Sequence, residues 1–309
     1  MQPGRIARRL AGTLMVLVLA SLVAFTILDF APGDAALIMV GESASAEELA
    51  VLRQELKLDQ PLMMRYLGYL SGVVQGDLGR SLINGRPVTD MIGERFVSTL
   101  KLAFAATVLA ASAGLLLGIW SAAHYGRLSD LGIMLLSSLG LAVPGFGFAI
   151  LLTLVFSLKL RLLPVAGGGT PAHMILPMLT LAAPMAAVIA RLSRASLIDV
   201  SRAEYVLAAR AKGVSERVVW HKHVLRNALV PVITMLSLNF GHLLGGAFVV
   251  ETIFGWPGLG RMLVQAVFDR DYPLILGSVL LLAVIFQVFN LLVDLAHGVL
   301  DPRVGSEAV

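Results

Sequence analysis

Side chains able to do chemistry are few in this chain, and their spacing excludes more than it admits. There is no cysteine, which removes disulfides, thiolate metal sites and cysteine nucleophiles. The closest histidines, His221 and His223, are two residues apart and do not share a helix face; neither they nor His173 and His297 suggest a metal site. No Ser/His pattern reads as a nucleophile with its base, and no Gly-x-x-x-x-Gly-Lys-Ser/Thr phosphate cradle occurs. The chain is therefore expected to be no enzyme, and to hold no nucleotide of its own. Gly76-Asp77-Leu78-Gly79-Arg80-Ser81 reads as a structural turn, because no helix and no lysine follow in the phosphate-loop pattern. Two groups of residues remain. Asn239, His242, Gln287 and Asn290 are polar residues in apolar surroundings, where they either bond helix to helix or face a passing solute. Gly241, Gly245 and Gly246 beside the first pair permit close packing or clearance. The other group is the charged, alanine-rich stretch Glu204-Tyr205-Val206-Leu207-Ala208-Ala209-Arg210-Ala211-Lys212-Gly213.

The elements that must position these residues are overwhelmingly apolar. Hydrophobic residues make up 57% of the chain and charged ones 14%, against about 25% charged in soluble domains, and the mean hydropathy is +0.84. This is the composition of an integral membrane protein. The net charge of +4 does not point to nucleic acid, because the cations sit beside apolar runs, where membrane topology needs them. Six runs lack Asp, Glu, Lys and Arg: Leu10 to Leu28, Leu102 to Ala123, Leu131 to Leu158, Leu162 to Ala190, Ala228 to Val250 and Tyr272 to Val293. Each is long enough to cross a hydrocarbon core of about 30 Å. The first reads as a retained signal-anchor helix, since no small-x-small cleavage pattern follows it. Leu163 to Pro171 is a turn or re-entrant loop, which puts the fourth helix proper nearer Met174 to Ala190. Pro144-Gly145-Phe146-Gly147 breaks the third run, and Pro177 and Pro184 kink the fourth.

Cations in the short connections orient the chain. Arg5, Arg8 and Arg9, then Arg127, the eight between Arg191 and Arg226, and Arg303 fall on one side, while the opposite short connections hold Lys159 with Arg161 and Arg261 with Arg270. The positive-inside rule places both termini and the basic segment in the cytoplasm. The long connection from Asp29 to about Val97 is then external and reads as folded. Ser45-Ala46-Glu47-Glu48 matches a capping box, with Leu49, Leu52 and Leu56 on one face of the helix it opens. Pro61 suits the first turn of a second helix, with Leu62, Tyr66, Tyr69 and Val73 inward.

The Arg191 to Arg226 segment holds eight of the 24 Lys and Arg residues. Ser201-Arg202-Ala203-Glu204 matches another capping box, which predicts a helix of about three turns from near Arg202 to Gly213. Ala208, Ala209 and Ala211 keep its surface small enough for close approach, and Arg210 and Lys212 lie where the helix dipole favours cations. Ser215 is placed to cap a second helix in which Val214, Val218, Leu225 and Leu229 recur at helical spacing, leaving Arg217, Lys222 and Arg226 to solvent or headgroups. Composition allows two readings of this hairpin: a basic topology signal, or a handle for a soluble partner.

Glu204-Tyr-x-x-Ala-Ala-Arg-Ala-Lys-Gly213, continuing to Arg226-Asn227-Ala228-Leu229-Val230-Pro231, resembles the EAA-type coupling loop of ABC importer permeases. More narrowly, the chain is similar to the dipeptide/oligopeptide/nickel permease family, in the subunit whose first external loop is long. Ala31 to Asp34, Leu58 to Pro61, Gly76 to Gly79, Leu163-Pro164, Gly255 to Gly260 and Asp271 to Pro273 resemble that family's marks in the same order, so the likeness covers nearly the whole chain. Leu207 stands where the sugar-type motif has glutamate, and the motif's proline is displaced to Pro231, both usual in the peptide-type group.

The resemblance implies an all-α integral membrane protein with six transmembrane helices, the type I ABC importer permease fold, and a small helical external insertion. Residues 1–28 would be the cytoplasmic N-terminus and first span, 29–97 the insertion, 98–300 the permease domain with a coupling loop at 191–227, and 301–309 a cytoplasmic tail. It implies a bacterial inner-membrane subunit that pairs with a sister permease, two ATP-consuming cytoplasmic ABC ATPases and an external binding protein. Glu204, Tyr205, Ala208, Ala209, Arg210, Ala211, Lys212 and Gly213 would lie in a cleft on one ATPase, and Asn239, His242, Gln287 and Asn290 are the candidates for the path. Family relatives carry dipeptides, longer peptides, glutathione, nickel chelates and some sugars. The alternative is an ion- or proton-coupled secondary transporter, which calls for ionisable groups near the midplane and two repeated halves with broken helices; neither is evident in the sequence.

Overall fold

The computed structural model describes residues 3–30, 45–55 and 59–300. Ala31 to Asp34, Leu56, Leu58 and the tail 301–309 lie outside the described residues, as do the side chains of Glu48, Leu52, Asp294 and His297. Regular structure among the described residues is helical, apart from an isolated bridge between Arg80 and Pro87. In chain order the helices are α1 (Pro3–Asp29), α2 (Ala46–Glu55), α3 (Leu62–Val74), α4 (Val88–Ala123), α5 (Leu128–Ala142) and α6 (Gly145–Leu152, continued by π-helical Thr153–Lys159). Then follow α7 (Pro171–Ser201), α8 (Glu204–Ala211), α9 (Glu216–Val218, π-helical Val219–Leu225, then Arg226–Gly246), α10 (Phe248–Ile253), α11 (Leu259–Asp269) and α12 (Tyr272–Leu300).

Helices α1, α4, α7, α9 and α12 are each long and apolar enough to cross a membrane, and α5 with α6 makes a sixth, broken span bent by 103°. The third apolar run is thus a sharp elbow rather than a kinked helix. Pro144 lacks an N–H and forces Val143 out of the helical region, to φ −82° and ψ 122°. The fourth helix, expected over Met174 to Ala190, instead starts at Pro171, where proline's missing N–H is no loss. It runs on to Ser201 because Ser193 and Leu197 are buried; Arg191 and Arg194 therefore lie within the helix, not beyond it.

The chain forms two compact units: Met1–Thr99 with Pro257–Val288, and Leu100–Trp256 with Phe289–Val309. In the first unit α1 packs on α3 through Phe25 and Tyr66, whose rings meet edge-on at 5.6 Å. The Tyr66 hydroxyl donates to the Val18 carbonyl at 3.0 Å, so its polar tip is satisfied while its ring is buried. Arg65 pairs with Asp29 at the end of α1. Pro61 precedes α3 as its N-cap instead of entering the first turn. The glycine-rich turn is structural: Gly79, at φ +85°, takes a conformation that favours glycine, and its N–H donates to Asp77 at 2.8 Å. The Ser81 hydroxyl and the Leu82 N–H (3.1 Å) both donate to the buried carboxylate of Asp271. Two motifs far apart in sequence thereby form one knot.

In the second unit α7 is the most enclosed helix, meeting α5, α6, α9 and α10. Its crossing with α4 is backbone on backbone. A side chain on Gly114 would lie 2.8 Å from the Ala186 carbonyl oxygen, and one on Gly118 would lie 2.8 Å from that of Ala190 and overlap the Ser193 hydroxyl. Two glycines four residues apart let membrane helices approach this closely. Leu102, Ala106 and Ala110 of α4, Leu176, Met185 and Ile189 of α7, and Val232 of α9 fill the core beside this contact.

Candidate functional site

The charged segment folds into α8, joined to α7 by Arg202 and Ala203 alone. The expected capping box does not form. Ser201 is the last residue of α7 and its hydroxyl donates back to the Ile198 carbonyl at 2.8 Å, while Ala203 occupies the N-cap without a side-chain bond. Because α7 takes the residues through Ser201, α8 has eight residues, about two turns rather than three. Its end is as expected. Gly213, at φ +76°, turns the chain, and the N–H groups of Gly213 and Val214 donate to the carbonyls of Arg210 (2.9 Å) and Ala209 (3.3 Å).

The two faces of α8 differ sharply. Val206 is fully buried and Ala209 nearly so, packed with Leu197 of α7 and with Val219, Val224 and Ala228 of α9. Ala209, expected among the small residues open to a partner, faces inward. Glu204, Leu207, Ala208 and Ala211 are exposed and follow the spacing of one helical face. Leu207, 52% exposed, is an apolar knob flanked by alanine. The rest of the segment braces the helix. Arg210 pairs with Glu216 at 2.7 Å and donates to the Ser201 carbonyl at 3.3 Å. The Tyr205 hydroxyl accepts from Asn227 at 3.2 Å and donates to the His223 carbonyl at 3.4 Å. Lys212 is exposed.

The following helix buries a different set of residues from the one predicted. Ser215 takes the N-cap without a side-chain bond, and Val218 is 44% exposed. The buried positions as far as the middle of this helix are Val219, Val224, Ala228 and Val232. The five-residue step from Val219 to Val224 falls in the π-helical stretch, whose i→i+5 bonding widens the turn.

One charged constellation escaped the sequence reading. Asp130, in the first turn of α5, is buried and accepts from Arg194 Nε (2.6 Å) and Nη2 (2.7 Å), from the Ser121 hydroxyl and from the Gly126 N–H (3.0 Å). Arg194 and Arg202 also lie over the Tyr125 ring, at 5.1 and 5.4 Å from its centroid. The one available signal was an acidic residue at the start of an apolar run, where a helix N-terminus favours it.

Of the polar path candidates, Asn239 and His242 share one side of α9, and Gln287 and Asn290 one side of α12, by their three-residue spacing. The Asn239 amide donates back to the Met235 carbonyl of its own helix at 2.8 Å. A side chain on Gly241 would come within 3.4 Å of Phe289, so this glycine serves close packing of α9 on the end of α12. Among the described residues no three His, Cys, Asp or Glu side chains group as metal ligands.

Residues 114–306 match the family described as binding-protein-dependent transport system inner membrane component, and residues 5–103 match the corresponding N-terminal family. The chain is 44% identical over 299 residues to the glutathione transport system permease protein GsiC of Escherichia coli (strain K12), spanning 97% of this chain and 98% of that protein. It is 42% identical, with the same coverage, to the GsiC protein of Salmonella choleraesuis (strain SC-B67). The fold matches the crystal structure of an amino acid ABC transporter with histidines, with TM-score 0.52 and 20% identity over 67% of this chain and 92% of that one. It also matches inward-facing MetNI methionine ABC transporter, with TM-score 0.51 and 17% identity over 66% and 95%. The chain belongs to the binding-protein-dependent transport system inner membrane component family, as a multi-pass permease of a bacterial ABC importer of the dipeptide/oligopeptide type.

Proposed function

We propose that this permease forms half of a path for peptides or related small solutes through the inner membrane, and that ATP-driven work enters it at α8. The observation that carries the reading is the two-faced character of α8: Val206 and Ala209 anchor it, while Glu204, Leu207, Ala208 and Ala211 present a small, partly apolar surface to a partner. That partner is a cytoplasmic ABC ATPase, one of two in the complex, with a sister permease completing the path. The ATPases use the ATP; this subunit converts their motion into access. The cation count along the chain supports a cytoplasmic α8 and cytoplasmic termini. An external binding protein then delivers solute to the 29–97 insertion and the 251–270 segment. Glutathione, for which relatives at 42% and 44% identity are named, falls within the proposed solute class. Asn239, His242, Gln287 and Asn290 are proposed to line the path.

The test is solute-stimulated ATP hydrolysis by the complete complex in vesicles. Ala208→Glu places charge on the outward face, where it leaves the core beneath α8 intact. It is expected to lower solute-stimulated hydrolysis at least about tenfold, a typical size for a coupling energy, with permease assembly unchanged. Wild-type hydrolysis and uptake in that variant would contradict the reading.

A further inference from the structure

We propose that Asp130 and Arg194 form a permanent strut that carries the movement of α8 to the α5–α6 elbow, making the broken span follow the ATPase-driven helix. The proposal rests on the reading of α8 as the point where ATPase motion enters. Besides the bonds of Tyr205 and Arg210 to the end of α7 and to α9, two attachments lead from the α8 region toward α4 and α5. Val206 and Ala209 sit on an apolar cluster with Ile119 and Ala122 packed beside it, a contact without direction. The second attachment is directional. Arg194 lies one turn before Leu197, which belongs to the cluster under α8, and Arg202 lies in the two-residue link to α8. Both guanidinium groups reach the Tyr125 ring. Tyr125 and Gly126 belong to the short connection that leads into α5, and Asp130 is in the first turn of α5 itself.

The Asp130 carboxylate is saturated: its donors come from α7, from the Ser121 end of α4 and from the connecting turn. A bidentate arginine–carboxylate pair fixes orientation as well as distance; the carboxylate is buried and Arg194 half-buried, so removing the arginine strands a buried charge. An apolar pair of similar volume would hold the helices together equally well, so what the ion pair adds here is geometry. Gly114 and Gly118 seat residues 100–123 of α4 on α7, so this part of α4, with α7 and α8, packs as one body within the second unit. The strut fastens the start of α5 to that body, and the 103° elbow lies at the other end of α5.

The absence of native cysteine makes a direct test possible. In the complete complex in vesicles, Asp130→Cys/Arg194→Cys is expected to keep ATP hydrolysis within about twofold of wild type. Solute carried per ATP should fall about tenfold or more, within the usual span of coupling factors. Bridging the two thiols with a short bismaleimide is expected to restore that ratio, and neither single-cysteine variant should respond. An unchanged ratio before bridging overturns the proposal, and so does one that stays low, or uptake that stops, after complete bridging. Should the double variant fail to assemble, Tyr125→Leu/Arg202→Gln removes the exposed half of the joint: a lowered ratio supports the strut and a wild-type ratio overturns it. Ala208→Glu run in parallel separates the two ideas. If α8 receives no ATPase that variant hydrolyses normally, whereas if only the strut is wrong it stays impaired while the double variant remains coupled.

Discussion

Tyr69 offers a titration that reads the packing of α3. Its hydroxyl is buried without a hydrogen-bond partner among the described residues, and burial, with the neighbouring Tyr66 as the lesser cause, pushes its pKa up to about 12. The folded value thus lies above the ordinary value of about 10, so the folded state keeps a proton that the unfolded chain has lost. Stability is therefore independent of this phenol's titration below about pH 10 and falls as pH rises from there toward 12, where only the unfolded chain ionises freely. Tyr69→Phe should leave stability at neutral pH unchanged or slightly higher, since no bond is lost, and should reduce the alkaline loss. Thermal unfolding against pH in detergent checks this, and an equally steep loss in the Phe variant contradicts burial of the phenol. Single residues were legible in the sequence where their chemistry is local. Gly213 and the Gly76–Ser81 turn do what their types imply. Asp130 was not legible, because its partner Arg194 is 64 residues away and a lone charge beside an apolar run looks like a topology marker.

Elements were legible in kind and less so at their ends. A serine three residues before a helix can cap forward or bond back, and the burial of Ser193 and Leu197 decides for the latter by prolonging α7 through Ser201. The π-helical stretch of α9 was invisible to a 3.6-residue template, which is why the buried set moved from Val218 to Val219 and Val224. The α4–α7 crossing makes its own prediction through two helical glycines. Gly118 faces the Ala190 backbone, whereas Gly132 on α5 has nothing within 4 Å. Gly118→Val should cost about 3 kcal/mol or prevent assembly, the upper end of overpacking penalties. Gly132→Ala should gain about 0.5–1 kcal/mol, the ordinary helical preference for alanine. Melting temperatures of the two variants in one detergent compare them directly, and similar shifts would deny the backbone contact.

At the scale of the molecule, six apolar runs became five continuous spans and one broken at Pro144. The number was legible because hydrocarbon thickness sets a minimum length; the 103° bend was not, because the angle depends on what α7 offers α5 and α6 to pack against. The family assignment makes the chain a permease, and what gives it a mechanism is the claim that α8 meets an ATPase with its outward face. A photoreactive residue placed at Leu207 in the assembled, membrane-embedded complex tests this most directly, with the same residue at Val206 as the inward control. The account predicts a Leu207 adduct with an ABC ATPase subunit and none from Val206. Adducts from Leu207 confined to lipid or to the external binding protein would contradict it.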